Sequence, residues 1–297
     1  MQALEGIRKS IRTAEDLRSV VKTMKGVAGA NIRHFERAVE SLAEYARTVE
    51  LGLQALLADE PERLLGRADG RDDGGCLGAV VFGSDQGMCG RFNVQIAEHA
   101  AGGIRQAAGG AGPAAVLVVG ARAAALLEME GLAAAEQVAP ATSLAGIAPV
   151  VQEILARVEG WRAAGRAGRI VLYYSESLGG AAYRPRTERL WPVDLAWLHG
   201  LRGREWPSRR LPVHTLEWGG LFSSLIREHL YIGLFRAAAE SLASENASRL
   251  ASMQAAERNI EDRLVALGAH YRTSRQEAIT EELLDIVAGF EALSPAR

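Results

Sequence analysis

The chain has 297 residues, 48% of them hydrophobic, which is enough to bury a sizeable core as one large domain or two smaller ones. Its 34 basic and 36 acidic residues leave a formal charge of -2, which argues against nucleic acid as a partner. Two cysteines, Cys76 and Cys89, are too few for a disulfide framework, and the longest apolar run, Ala114 to Leu127, is broken by Gly120 and Arg122 and is too short to cross a bilayer.

Helix breakers gather in the middle of the chain. Eight of the nine prolines and 23 of the 32 glycines lie between Pro61 and Pro212, so both ends are free to run as long helices. The first is predicted to reach about residue 58. Steps of three and four along it give Leu4, Ile7, Ile11, Ala14, Arg18, Val21, Lys25, Ala28, Ile32, Phe35, Val39, Leu42, Ala46, Val49, Leu53 and Leu56, and 14 of these 16 are apolar. A mean spacing near 3.5 is the seam of a left-handed coiled coil. Arg18 and Lys25 interrupt it, and the expectation is that the stripe drifts onto their neighbours Leu17 and Met24. Met1 to Lys25 is charged throughout and has no apolar core segment, so it does not read as a signal peptide. Eight Lys or Arg against four acids in the first 37 residues suit either an acidic partner or a solvated face.

From Leu77 the pattern alternates. Leu77 to Gly83, Ala114 to Gly120 and Ile170 to Ser175 read as strands; Phe92 to Ala108, Ala121 to Glu130 and Pro149 to Ala164 read as helices. Strands separated by helices imply parallel crossovers, and Tyr183 to Val193 is expected to return antiparallel after the turn at Gly179 and Gly180. The turn Gly83 to Gly90 stands where a phosphate loop would, but Arg91 and Phe92 follow it in place of Lys and a hydroxyl, and the dinucleotide glycine spacing is absent. Its glycines are therefore expected to serve backbone geometry.

The last helix is predicted from about Leu221 to Leu293. It has a seam at Leu250, Met253, Ile260, Leu264, Leu267 and Tyr271, then a change of phase to Ile279, Leu283, Ile286, Phe290 and Leu293. Leu221 to Leu242 is apolar on more than one side and is expected to pack on the middle domain as well. The fold class is α/β: a long antiparallel coiled coil of N- and C-terminal helices with a Rossmann-like α/β domain inserted between them. The boundaries are 1–58, 76–212 and 213–297. Other chemistry is sparse, since the six histidines have no zinc-ligand spacing and no nucleophile, base and carboxylate set stands out. Neither a metal nor a cofactor is expected.

Three segments carry a resemblance to a known family. Ile7 to Arg33 is similar to the N-terminal helix of the gamma subunit of F-type ATP synthase, with Lys22, Met24 and Val27-Ala28 in place. Ser84-Asp85-Gln86-Gly87-Met88-Cys89-Gly90-Arg91-Phe92-Asn93 resembles that family's conserved turn. Ala243 to Arg249, Met253, Asn259, Tyr271, Arg275-Gln276, Ile279-Thr280, Glu282-Leu283 and Ile286-Val287 with Gly289 resemble its C-terminal helix. The resemblance implies a rotor shaft inside a ring of alpha and beta subunits, with the α/β domain as a foot on the epsilon subunit and the c-ring. It implies coupling of proton or sodium flow to the beta subunits' cycle, no catalysis by this chain, no insertion in the membrane, and a peripheral seat on the cytoplasmic face of the plasma (inner) membrane. Met24, Glu245, Arg249, Arg275, Gln276, Thr280 and Glu282 match positions that meet a beta subunit. Two rival readings remain at this stage: an enzyme using nucleotide or phosphate at the Ser84 to Gly90 turn, and a non-rotary cytosolic coiled-coil adaptor. The chain departs from the family at Gly26, at Asn31 to His34, in having only three lysines, and in the four tryptophans between Trp191 and Trp218. These departures fit a divergent copy from an alternative ATP synthase operon.

Overall fold

The computed structural model describes residues 2–59, 76–109, 112–113, 115–180, 182–210, 212 and 214–293, leaving aside the side chains of 2, 3, 59 and 290–293. The elements are α1 (Gln2–Asp59), β1 (Leu77–Phe82), α2 (Phe92–Ala108), β2 (Ala115–Val119), α3 (Ala121–Met129), β3 (Glu136–Val138), α4 (Leu144–Ala163), β4 (Arg169–Ser177), β5 (Tyr183–Trp191), α5 (Leu195–Arg202) and α6 (Trp218–Leu293). Packing divides them into two compact units, 1–27 with 250–297, and 28–249. Residues 60–75, Ala114 as a strand start, residues 211 and 213, and the seam side chains of Phe290 and Leu293 lie outside the described residues.

In the larger unit, five strands form one sheet in the order β3-β2-β1-β4-β5. The first four neighbours run parallel and β5 runs antiparallel to β4, as the strand reading expected. β1 sits at the centre, and all six of its residues are buried, which is why Leu77 to Phe82 reads as a continuous apolar run. Its alternate side chains serve two cores. Leu77, Ala79 and Val81 join α2 and α3 through Ile96, Ile104 and Leu127; Val80 and Phe82 join α4, α1 and α6 through Val151, Leu53 and Leu234. The stretch of α6 from Ile226 to Ser248 is accordingly buried on more than one side.

Three features differ from the sequence expectation. α4 begins at Leu144, five residues before Pro149, because Ser143 caps it by accepting a hydrogen bond from the Gly146 N–H at 3.3 Å. A proline near the start of a helix removes only one intrahelical bond, and the cap and the buried Ile147 hold the turn before it. β3 and α5 have no counterpart in the expectation. A strand of three residues and a helix of eight are too short for hydrophobic periodicity to show.

α1 and α6 lie antiparallel within this unit, as Tyr45 Oη to Glu228 at 2.7 Å and the packing of Gly52 on Leu225 demonstrate. A Cβ at Gly26 or Gly29 would meet no atom within 4 Å, and α1 is continuous through both. The helix lacks only what alanine would supply, so Gly26→Ala and Gly29→Ala are each expected to raise the stability of the full chain by about 0.5–1 kcal/mol, read as the shift of a urea midpoint.

A charged cluster sits between α6 and the β4–β5 hairpin. Glu176 is bound by Arg184 at 2.7 Å and by Arg186, and Glu188 by Tyr174 Oη at 2.8 Å and Arg236 at 3.2 Å. Glu240 faces the same groups, but its Oε2 is buried without a hydrogen-bond partner among the described residues. Burial pushes its carboxyl up to about 7, only partly offset by Arg236. An acid whose folded pKa is raised opposes folding once it must ionise. Its neutral form is fully favourable below the unfolded value near 4.5, and stability falls as pH climbs to about 7. Glu240→Gln should therefore stabilise the chain at pH 8 by about 1–2 kcal/mol, a figure reduced for partial solvation, with the gain shrinking several-fold by pH 5. Urea titrations at the two values test this.

In the smaller unit the helices also run antiparallel. Arg8 lies over the Tyr271 ring, and Lys25 pairs with Glu257. The hydrogen bond from Lys25 holds the Glu257 carboxyl below its ordinary range. The seam residues Leu4, Ile7, Ile11, Ala14 and Val21 are covered wholly or in part, as are Leu250, Met253, Ile260, Leu264, Leu267 and Tyr271. The expected drift onto Leu17 does not occur: Leu17 is 52% exposed and Arg18 is exposed beside it, so the stripe has a gap there. Met24 and Lys25 are both half-buried. The second phase on α6 also has no cover among the described residues. Ile279, Leu283 and Ile286 are 47%, 57% and 68% exposed. The cause is length: the register that sets Arg8 against Tyr271 brings Gln2, the first residue of α1, opposite about residue 277, and α6 runs on without α1 beside it.

Candidate functional site

Within the larger unit, the loop after β1 is held by side chains on α2 and α6. Asn93, on the first turn of α2, accepts the Ser84 N–H at 3.0 Å and donates to Ser84 Oγ at 2.8 Å and Cys89 Sγ at 3.4 Å. From α6, Ser248 Oγ donates to the Cys89 carbonyl at 2.6 Å, Ser241 Oγ to the Phe82 carbonyl at 3.3 Å, and Ser244 Oγ to the Ser175 carbonyl at 3.0 Å. Asp85 accepts the Ala121 N–H at 2.7 Å, tying the loop to the start of α3. Two of the amides at its ends are committed elsewhere: Ser84 N–H to Asn93, and Phe92 N–H to the Cys89 carbonyl at 3.2 Å. Two glycines set the geometry. A Cβ at Gly83 would come within 2.2 Å of Ala123 Cβ, and Gly120 has φ +103° with the Ser84 backbone against it.

Glu245 and Arg249 belong to this same place. They form an i,i+4 ion pair, Arg249 Nη2 to Glu245 Oε1 at 2.6 Å, with both side chains largely buried. Nη2 is close to the carboxylate but badly angled for a hydrogen bond, and Arg249 Nε has no hydrogen-bond partner among the described residues. Burial raises the Glu245 carboxyl, and Arg249 pulls it back. Burial likewise raises the Cys89 thiol, against a hydrogen bond from Ser84, so the thiol is a packed neutral group with no sign of nucleophilic activation. The resemblance matches these two charges to positions that meet a beta subunit; within the chain they are directed at each other. Asn93 and Ser248 were quoted within motifs but given no role. The signal for Asn93 was a small polar residue in an otherwise apolar helical face, and for Ser248 a run of serines, Ser241, Ser244 and Ser248, at helical spacing.

The remaining predicted residues lie in the smaller unit. Arg275, Gln276, Thr280 and Glu282 are exposed on α6, and Met24 is half-buried on α1. Thr280 Oγ1 donates to the Gln276 carbonyl at 2.9 Å. Neither the Arg275 nor the Gln276 side chain has a partner among the described residues. The structure thus brings four of the seven together at the end of α6, seats Glu245 and Arg249 in the other unit, and puts Met24 on the facing helix.

Two terminal helices of 58 and 76 residues, pairing antiparallel in each unit, with a five-stranded α/β sheet inserted between them in sequence, define an intramolecular coiled-coil α/β protein. The profile of the family described as ATP synthase matches residues 3–293, and the chain belongs to that family as one of its gamma subunits. The ATP synthase gamma chain of Sinorhizobium medicae is 27% identical over 302 residues, covering 99% of this chain and 100% of that protein. The gamma chain of Parvibaculum lavamentivorans is 25% identical, with 99% and 100% covered. Among solved structures, a chain of the Euglena gracilis mitochondrial ATP synthase OSCP/F1/c-ring assembly has TM-score 0.68 at 18% identity, covering 98% of this chain and 95% of that one. A chain of the Euglena rotor has TM-score 0.65 at 16% identity, covering 94% and 99%. At these identities the structural likeness speaks for the fold.

Proposed function

We propose that this chain is the central rotor shaft of an F-type ATP synthase, coupling ion flow through a membrane sector to the conformational cycle of the catalytic beta subunits. The single observation that carries the reading is a pair of antiparallel terminal helices, one of which runs on past its partner and is exposed on every described face from Ile279 to Gly289. A helix end with apolar residues at 279, 283, 284, 286 and 287 exposed to solvent is an unstable arrangement unless a surrounding protein covers it. The alpha and beta subunits are that surrounding protein, and the epsilon subunit and c-ring are the partners of the α/β domain. The chain carries no catalytic group of its own in this reading. It is a peripheral part of a membrane complex, seated on the cytoplasmic face of the bacterial inner membrane; no helix of the described structure is long and apolar enough to cross a membrane.

The beta-facing contact falls to Arg275, Gln276, Thr280 and Glu282, with Met24 on the facing helix. A contact that must form and break at each step is best made of exposed charge-assisted hydrogen bonds, which exchange readily with water; a dry apolar seam would trap one angle. Glu245 and Arg249 pair with each other in the other unit, where Ser248 ties α6 to the loop of residues 83–90. The test is co-expression with alpha and beta subunits. The chain should co-purify with them and confer coupled ATPase activity, and a stable monomer that ignores both would overturn the assignment.

A further inference from the structure

One stripe of α6 faces the β4–β5 hairpin over successive turns, at Arg236, Glu240, Ser244 and Ser248. Residues four apart lie one above another on a helix, so these side chains stand as rungs on one line. Three of the rungs are fastened. Arg236 donates to Glu188 at 3.2 Å, Ser244 Oγ donates to the Ser175 carbonyl at 3.0 Å, and Ser248 Oγ meets Tyr183 Oη at 3.3 Å. Glu240 is the fourth, and its Oε2 is buried with no hydrogen-bond partner among the described residues.

The nearby cations are already taken. Arg184 and Arg186 are both bonded to Glu176, Arg186 also lies 3.8 Å from Glu188, and Arg236 is bonded to Glu188. Glu188 accepts Tyr174 Oη as well, and burial together with that carboxylate holds the phenol above its ordinary range. The groups acting on Glu240 are therefore Arg236 from its own helix and Glu176, Arg186, Glu188 and Tyr174 from the hairpin. A neutral carboxyl fits this site at little cost. An ionised one is a half-buried charge beside two carboxylates whose arginines are engaged, and burial pushes it up to about 7. Water relieves that charge, and parting of the hairpin from α6 admits water.

We propose that Glu240 is a proton-operated latch between α6 and the β4–β5 hairpin, closed when its carboxyl is protonated and released when it ionises. β5 ends the sheet order, so it can lift from α6 while β1 and the cores on both its faces stay closed. Linkage fixes the sign. The carboxyl ionises near 4.5 when free and near 7 when latched, so each step in pH between those values favours release, and above about 7 the balance levels off. The latch is a property of this chain by itself and does not depend on the rotor reading.

The test is hydrogen exchange of the full chain, read by mass spectrometry as protection factors for peptides covering Tyr183–Trp191 of β5 and Leu77–Phe82 of β1. Between about pH 5 and pH 7.5, protection of the β5 peptide should fall on the order of tenfold, less than a fully buried carboxyl would give. It should stay below that of the β1 peptide at both values, because the hairpin opens without global unfolding. E240Q keeps the shape and cannot ionise, so its β5 protection should be flat over the same range. His99 also meets β5, with Nε2 2.8 Å from Thr187 Oγ1, and burial lowers its pKa. H99Q should keep the parent's fall. Constant protection in the parent, a fall that survives in E240Q, or one that vanishes in H99Q would each overturn the proposal. Equal protection of the two peptides would overturn it too, since the opening would then be global. Co-purification with alpha and beta is independent of these outcomes, so the rotor reading and the latch can fail separately.

Discussion

Gly120→Ala is expected to destabilise the full chain by about 4 kcal/mol, a large share of the 5–15 kcal/mol typical of a folded domain. Two terms add. Gly120 stands at φ +103° and ψ +125°, where a residue with a Cβ is strained by about 1–3 kcal/mol. The added Cβ would also lie 2.6–2.7 Å from the backbone atoms of Ser84, which cannot rotate away as a side-chain tip could. Forced displacement in a packed interior costs about another 1–3 kcal/mol. The consequence spreads, because Ser84 lies at the start of the clamped loop: its carbonyl accepts Arg122 N–H at 3.1 Å, its N–H is held by Asn93, and the loop's far end is bound by Ser248 of α6. Gly131 separates the two terms. It has φ +79° but open space where a Cβ would stand, so Gly131→Ala should show the conformational strain alone. The urea midpoint should therefore shift further for Gly120→Ala than for Gly131→Ala, and equal shifts would mean that the Ser84 contact is not limiting.

The long helices were legible because proline and glycine report backbone freedom directly, one residue at a time. The sheet was legible where its strands are buried on both faces, as at Leu77 to Phe82, since desolvation of a parallel strand demands an unbroken apolar run. What could not be read depended on things the local pattern does not encode. Leu17 looks like a seam residue, yet it is 52% exposed, because covering it requires a facing side chain at the matching height on α6. Ile279, Leu283 and Ile286 keep helical periodicity with no covering chain; periodicity records that a face is apolar but not what covers it. The seven predicted contact residues show the same limit. Arg275 and Glu245 look alike as charges on one helix, but one is exposed and the other is 7% exposed beneath the 83–90 loop. That distinction is made by Cys89 and Ser248 meeting across 159 positions of sequence.

Replacement of Arg275 and Gln276 should separate assembly from folding. Both side chains are exposed and unpartnered among the described residues, so Arg275→Ala and Gln276→Ala should each move the urea midpoint of the isolated chain by no more than surface substitutions do, within about 0.5 kcal/mol. If the pair bonds a beta subunit, Arg275 carries the charge-assisted bond and its loss should cost about 1.5–3 kcal/mol of contact free energy, roughly ten- to a hundredfold in affinity for the alpha-beta assembly. Gln276→Ala, a neutral donor and acceptor, should cost about 0.5–1.5 kcal/mol. Arg275→Lys distinguishes charge from geometry: an ammonium keeps the charge but loses the planar fork, so recovery should be partial. Thr280 adds an internal check. Its hydroxyl is already bonded to the Gln276 carbonyl at 2.9 Å, and Thr280→Val, which removes that bond while keeping the shape, should weaken assembly less than Arg275→Ala does. Titration of the chain into purified alpha-beta assembly reads all four variants on one scale. Full affinity in the Arg275→Ala protein would move the beta contact away from this end of α6 and onto α1, where Met24 is the remaining candidate.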